Sequence, residues 1–143
     1  MRFSLSIIFC LTCTLIGCDR YVLTLNERPI HTPPTLFAGY SIADEALRNC
    51  VKQSISDAKI TQVKDFLGLN CSTAGIKQLD GLEVFGSLET LILTNNDINR
   101  LTPLLILPSL LNVDLTNNPS LNCADIKPLT RRGVKIISPP HCG

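Results

Sequence analysis

The side chains of this chain best suited to covalent chemistry are its seven cysteines among 143 residues. Three of them, Cys10, Cys13 and Cys18, fall near the start. The other four are spread through the body of the chain, at Cys50, Cys71, Cys123 and Cys142. A thiol can be acylated, oxidised to a disulfide or bound to a metal ion, depending on its compartment and neighbours. The two groups therefore predict different chemistry.

The first cysteines lie within or directly after an apolar segment. Met1 is followed by a single positive charge, Arg2, and then by an apolar run from Phe3 to Ile16. That run is roughly 14 residues, too short to span a bilayer but of the right length for the core of a signal peptide. The sequence therefore predicts an export signal over residues 1–17.

The end of this segment, Leu15-Ile16-Gly17-Cys18, resembles the bacterial lipobox. The resemblance implies that a diacylglyceryl group is attached to the Cys18 sulfur, that the chain is cleaved before Cys18, and that the new amine is acylated. Several acyl chains together would give a stable membrane anchor. The alternative is an ordinary cleaved signal peptide in which Cys18 occurs by chance.

The segment after Cys18 is predicted to be a tether, because prolines interrupt any long regular element over residues 18–40. Asp19 follows the lipobox cysteine directly. In enteric bacteria an aspartate at this position is associated with retention in the inner membrane. Because that rule varies among bacteria, the sequence does not decide between the inner and the outer membrane. The predicted location is the cell envelope, on the periplasmic side or at the surface.

The four body cysteines would meet an oxidising compartment and can form two disulfides in three possible connectivities. Pairing between neighbours, Cys50 with Cys71 and Cys123 with Cys142, is the favoured hypothesis. The competing interpretation is a metal site of Cys123, His141 and Cys142, but no C-x-x-C or paired histidine spacing supports it. No metal or other cofactor is predicted.

Neither catalysis nor nucleic-acid binding is indicated by the composition. The formal net charge is +1, and the chain contains only two histidines, His31 and His141. No nucleophile motif, glycine-rich phosphate loop or spaced carboxylate pair appears. Arg131 and Arg132 form a small basic pair, and such pairs are more often solvated than functional. The sequence predicts neither an enzyme nor a small-molecule substrate.

The body of the chain also contains a repeat of apolar residues, and the fold that it predicts would position the four body cysteines. Leu88, Leu91 and Leu93 recur 22 residues later as Leu110, Val113 and Leu115, and the same step backwards reaches a weaker copy that begins at Phe66. A fixed period of this length indicates stacked units. Each Leu-x-x-Leu-x-Leu segment predicts a short strand whose alternate side chains point inward.

This pattern resembles the 22-residue class of leucine-rich repeats, to which internalin-type bacterial repeats belong, over residues 60–142. The resemblance implies an α/β fold, a short leucine-rich repeat solenoid of about three to four repeats. Ser41 is the predicted N-cap of a helix reaching about Ser54, which would cover the open end as an N-terminal capping helix. The predicted organisation is a signal peptide (1–17), a lipidated tether (18–40) and this domain (41–143).

Two asparagines of the repeat, Asn96 and Asn118, are predicted to be structural. A side-chain amide both donates and accepts hydrogen bonds, so each can satisfy the buried backbone groups of neighbouring turns. In the weaker unit Ala74 stands at the equivalent position and cannot do this.

The family binds partners through the concave face of its strands, so the resemblance implies a protein-binding surface there. The predicted residues of this surface are small and mostly polar, Asn70, Thr90, Ile92, Thr94, Asn112, Asp114 and Thr116. Lys135 and Ile137 would follow them on a last strand. Ile92 is the only large apolar side chain in the two best-matched units, and no Trp, Tyr or Arg, the usual hot-spot residues, lies among them. A solvated surface without a partner is the alternative.

The sequence thus predicts a membrane-anchored bacterial lipoprotein that binds a protein at the cell envelope. One alternative is a structural or assembly accessory of an envelope machine such as a secretion or pilus system. Another is a surface adhesin by analogy with internalins, an analogy that rests on the fold alone. The partner is not named by any residue of the chain.

Overall fold

The computed structural model describes residues 24–25, 28–29 and 33–143. The chain divides into two compact units, Met1–Pro33 and Pro34–Gly143. In the first, strand β1 (Thr24–Leu25) pairs antiparallel with β2 (Arg28–Pro29). Cys18 and the rest of the predicted signal lie outside the described residues. Within the described part of the chain, no helix is both long and apolar enough to cross a membrane.

The second unit is a four-stranded parallel sheet with two α-helices. Its strands, in the order in which they pair, are β3 (Gly68–Asn70), β4 (Thr90–Ile92), β5 (Asn112–Asp114) and β6 (Lys135–Ile137). The helices are α1 (Glu45–Asp57) before the sheet and α2 (Ile126–Arg131) before its last strand. Single 3₁₀ turns occupy Val63–Asp65, Leu82–Val84, Thr102–Ile106, Cys123–Asp125 and Pro140–Cys142.

The strand register follows the period of the sequence. Leu69 pairs with Leu91, and Leu91 with Val113, each 22 residues further on. The last step, from Val113 to Ile136, is one residue longer. Because side chains alternate along a strand, these central residues all point to one side of the sheet, where Leu69, Leu91 and Val113 are buried. The other side of the sheet is left uncovered by this core.

The core is one continuous cluster that includes residues from the sheet, both helices and the turns. Phe85 is completely buried, and its ring lies 4.8 Å from that of Phe66 and 5.6 Å from that of Tyr40, centroid to centroid. Phe37 meets the same ring edge-on at 6.1 Å. The segment that precedes α1 is thereby packed onto the core by aromatic contacts.

The predicted fold class, a short leucine-rich repeat solenoid with an N-terminal capping helix, is wrong. The structure is a small four-stranded parallel sheet with two helices. The connections between strands do not repeat, since the first two contain only 3₁₀ turns and the third contains α2. Helix α1 supplies Leu47 and Val51 to the common core rather than a separate lid. The leucine pattern predicts the spacing of the strands and which residues are buried. It does not determine the structure of the segments that connect the strands.

The predicted start of the first helix is also wrong. Residues 41–44 are not helical, and the N-cap of α1 is Asp44 in place of Ser41. The Asp44 carboxylate accepts a hydrogen bond from the backbone N–H of Leu47 at 3.0 Å. Ile42, two residues before this N-cap, is already buried in the core. The helix consequently runs later, to Asp57.

Candidate protein-binding face

The sheet face is the uncovered side of the four strands, opposite the core. Two rows of side chains cross it in register. One row runs Gly68, Thr90, Asn112, Lys135, and the other runs Asn70, Ile92, Asp114, Ile137. The structure therefore brings together the predicted residues Asn70, Thr90, Ile92, Asn112 and Asp114. Lys135 and Ile137, which the sequence also placed on this face, lie beside them on β6.

A depression of about 310 Å³ lies on this face over β5. Thr90 and Ile92 line it from β4, and Lys135 and Ile137 line it from β6. Ile137 is 60% exposed, an unusual degree for a large aliphatic side chain in a strand of a small sheet. The walls are therefore largely apolar, with a few polar groups at fixed positions, which is the usual composition of a binding site.

The Asp114 carboxylate is held on the floor of the depression. Its Oδ1 accepts from the backbone N–H of Thr116 at 2.9 Å and from the Thr116 hydroxyl at 2.6 Å. Asn70 makes the same arrangement with Ser72, at 3.1 Å and 2.8 Å. Because these local bonds fix the side-chain torsions, Asp114 presents its second oxygen in one orientation.

The remaining predicted face residues lie at the ends of the strands. Thr94 and Thr116 are half-buried and follow β4 and β5, outside the depression. Asn112 is exposed, and its Nδ2 lies 3.5 Å from the hydroxyl oxygen of Thr90 in the same row. This contact links two neighbours in the row that runs from Gly68 to Lys135, and it leaves Asn112 exposed.

Asn96 and Asn118 lie behind the sheet face, in the buried turns after β4 and β5. The Nδ2 of Asn96 donates to the carbonyls of Cys71 and Leu93 at 2.9 Å each. Its Oδ1 accepts from the N–H groups of Ala74 and Ile76 at 3.2 Å and 3.0 Å. This bond to Ala74 explains how the turn that lacks an asparagine of its own is satisfied. Asn118 bonds to the preceding turn in the same manner.

The two disulfides join Cys50 to Cys71 and Cys123 to Cys142, which confirms the local pairing predicted from the sequence. The first connects α1 to the residue after β3. The second connects the turn before α2 to the end of the chain. His141 lies beside the second bond, and its ligand atom is within 4.8 Å of both sulfurs. Both thiols of the alternative metal site are thus joined to each other, which leaves no thiolate to bind a metal.

The two members of the basic pair, Arg131 and Arg132, are exposed but differ in their contacts. The Arg132 guanidinium donates to the backbone carbonyls of Leu104, Leu105 and Leu107 in the turn before β5, at 3.4 Å to Leu104 and 2.7 Å to Leu107. Both arginines are exposed, which agrees with the prediction of a solvated pair, and Arg132 adds a structural contact that the prediction did not include. No signal within the local sequence distinguishes it from Arg131, because its acceptors lie 25 to 28 residues away.

Asp44 makes a second set of contacts besides capping α1. Its Oδ2 accepts from the N–H groups of Lys77 and Gln78 at 2.9 Å and 3.1 Å, so one carboxylate ties the start of α1 to the turn after β3. Partial burial raises the pKa of this carboxyl, but the backbone hydrogen bonds outweigh burial and hold the pKa below its ordinary value.

A second hollow, of about 400 Å³, lies between the segments that follow β3 and β4. Gln78, Asp80, Arg100 and Thr102 line it, and its walls are mainly polar. Leu79 and Pro103 add only a minor apolar part to its lining, so the more apolar sheet face is the stronger candidate site.

A scan against protein-family models finds no match to this chain. A search of curated proteins likewise finds no match. The sheet face must therefore be interpreted from its own chemistry.

Proposed function

We propose that this chain is a lipid-anchored protein of the bacterial cell envelope and that its sheet face binds another protein. The observation that carries the binding proposal is the depression over β5, in which two isoleucines flank a fixed carboxylate. An exposed side chain such as Ile137 gains free energy when a partner removes it from water, at about 25 cal/mol per Å² of apolar surface. Scaffold residues behind it are held by disulfides and buried amides, so little ordering would accompany binding.

The anchor rests on Leu15-Ile16-Gly17-Cys18 and the apolar run that precedes it. In this proposal the acyl chains on Cys18 hold the protein at the membrane, and residues 18–40 lead to the domain that recognises a partner. No catalytic step is assigned to the chain. The envelope location is compatible with both disulfides, which form and persist in oxidising compartments.

The binding proposal is tested by site-specific photocrosslinking in cells. A photoreactive amino acid at Asn112, on the sheet face, is expected to capture a defined protein. The same group at the exposed Lys127 on α2 is the control and is expected not to capture that protein. The double variant Ile92→Ala, Asp114→Asn should reduce capture from position 112 while the domain stays folded. Equal capture from both positions would reject the sheet face as the site.

The anchor is tested by metabolic labelling with radioactive palmitate. The wild-type chain is expected to incorporate label, and Cys18→Ser is expected to lose it. Cys13→Ser is a matched control within the same segment and should keep it. Unchanged labelling of Cys18→Ser would reject the lipoprotein proposal.

A further inference from the structure

The depression over β5 has the shape and charge to hold one side chain of a particular kind. We infer that it receives a lysine of the partner protein, with the alkyl stem between Ile92 and Ile137 and the ammonium group at Asp114. This inference rests on the proposed protein-binding function of the sheet face and specifies its chemistry.

The two isoleucines are separated by one intervening strand. Ile92 pairs with Asp114, and Asp114 pairs with Ile137, so the carboxylate lies between them in a single row. With neighbouring strands about 4.8 Å apart, the isoleucines are roughly 10 Å apart along the row. Carbon atoms make their best contact at about 3.5–4.0 Å. One alkyl stem that enters above the short Asp114 side chain can therefore contact both isoleucines.

The carboxylate between them is the part that selects a cation. Thr116 occupies Oδ1 with two hydrogen bonds. Among the residues that the structure describes, none donates a hydrogen bond to Oδ2. Asp114 as a residue is half-buried, and its Oδ2 stays accessible beside apolar side chains, where a charged donor can reach it. Lysine and arginine both lay their stems along apolar surface with the charge at the tip.

Lysine is favoured over arginine because only one oxygen is available. The advantage of a guanidinium lies in a fork that bonds both oxygens of a carboxylate, and Oδ1 of Asp114 is already committed to Thr116. An ammonium group needs a single acceptor. Lys135 also lines the depression, but it belongs to the other row, in register with Asn112, whereas Asp114 lies in the same row as the two isoleucines. A stem held between the isoleucines therefore ends at the carboxylate, which favours a cation over an acidic side chain.

The inference is tested with three acetylated and amidated pentapeptides, Ser-Gly-X-Gly-Ser, in which X is lysine, norleucine or glutamate. Norleucine keeps the alkyl stem and lacks the charge. The ¹⁵N-labelled full chain in detergent is titrated at low salt, and the amide resonances of Asp114 and Ile137 are followed. The lysine peptide is expected to bind about fivefold more tightly than the norleucine peptide. Equal binding of these two, or tighter binding of glutamate, would overturn the inference.

Two variants with matched controls assign the effect to the depression. Asp114→Asn keeps the acceptor for Thr116 and removes the charge, so it should abolish the lysine preference, whereas Asp80→Asn should keep it. Ile137→Ala should weaken the lysine and norleucine peptides alike, by about threefold. Ile106→Ala, which removes a similarly exposed isoleucine elsewhere (64% against 60%), should change neither. A lysine preference that survives Asp114→Asn would overturn the inference.

Two further measurements distinguish failure of this inference from failure of the proposed protein-binding function. If photocrosslinking at Asn112 captures a partner while the peptides show no lysine preference, the inference fails and the proposed function stands. If the crosslinks from Asn112 and Lys127 do not differ, the proposed function fails independently of the peptides. Sedimentation of the chain tests self-binding: a dimer lost in Asp114→Asn would assign the depression to a second copy and overturn the inference of another protein's lysine.

Discussion

Asn96 and Asn118 donate their side-chain amides to the same backbone carbonyl, that of Leu93, at 2.9 Å each. The carbonyl lies just after β4, and the two asparagines belong to the turns after β4 and β5. A single acceptor thus joins consecutive turns of the sheet. Asn118 is completely buried, so no water can replace its hydrogen bonds.

Asn118→Ala is expected to lower the free energy of unfolding by about 3 kcal/mol or more, because it leaves the carbonyl of Leu115 and the N–H of Ile98 without a partner. Urea denaturation measures the change. The control is Asn112→Ala, an exposed asparagine on the sheet face, for which a change within about 0.5 kcal/mol is expected. Similar values for the two variants would contradict a structural role for the buried amide.

Asp44→Asn is expected to destabilise the domain by about 1–2 kcal/mol at neutral pH. An asparagine keeps one oxygen for the N–H of Leu47, but its NH₂ group would face the N–H groups of Lys77 and Gln78. Thermal or urea unfolding measures the loss. Glu45→Gln, at the next residue, is the control and should have little effect.

The same carboxylate predicts a pH dependence. The pKa of Asp44 is lower in the folded chain than its ordinary value of 3.8. Its contribution to stability is therefore complete above the unfolded pKa and is lost as the pH falls below about 4, through the lowered folded pKa. Unfolding curves between pH 6 and pH 3 should show a smaller acid loss for Asp44→Asn than for wild type. Parallel curves would contradict this assignment.

Arg132→Met is expected to destabilise the domain by about 1–2 kcal/mol, because the carbonyls of Leu104 and Leu107 lose a charged donor. Arg131→Met provides the matched control, since it removes the same charge one residue earlier, and a change within about 0.5 kcal/mol is expected. If both variants lost the same stability, the effect would belong to net charge and not to the tie between α2 and the turn.

Gly81→Ala and Gly75→Ala separate two costs of replacing glycine. Both residues have positive φ, +99° and +81°, which strains any residue with a side chain. At Gly81 a Cβ would also lie 2.3 Å from the carbonyl oxygen of Ser41, whereas at Gly75 it meets nothing within 4 Å. Gly75→Ala should cost about 1 kcal/mol and Gly81→Ala clearly more, as measured by urea unfolding. Equal losses would show that the contact with Ser41 relaxes freely.

Removing the second disulfide by Cys123→Ser with Cys142→Ser is expected to lower the free energy of unfolding by about 3 kcal/mol. The bond closes a loop with a sequence separation of 19, and the unfolded chain gains the corresponding entropy when it is absent. Urea unfolding of the variant, with oxidised wild type as reference, measures the change. An unchanged midpoint would show that the bond does not restrain the unfolded chain.

Much of the strand layout could be predicted from the sequence. The alternation of leucines around Leu91 places a strand there, and the 22-residue step aligns it with Val113, because both quantities are local or periodic. The order of the cysteines favoured the pairs that are found. The start of α1 was misplaced because Asp44 is fixed as the N-cap by Lys77 and Gln78, amides more than 30 residues away.

The period of the leucines predicts neither the fold class nor the whole of the candidate site. The leucines describe which positions are buried, and they say nothing about a connection such as α2 or about how few strands the sheet contains. The place of Ile137 on the sheet face is harder to predict than that of Ile92, because β6 follows a longer step from β5, which breaks the period. The depression needs Ile92 and Ile137 together, so its shape depends on a register that only the folded sheet defines.

Each body cysteine is bonded to the one adjacent to it in order along the chain, Cys50 to Cys71 and Cys123 to Cys142. A ribosome synthesises a protein from its N-terminus, so Cys71 is the first of the later body cysteines that Cys50 can meet. Cys123 and Cys142 follow in the same way, as the next two thiols to be synthesised. Among these four thiols, oxidation in order of synthesis yields the native connectivity, and no reshuffling step is required to correct it.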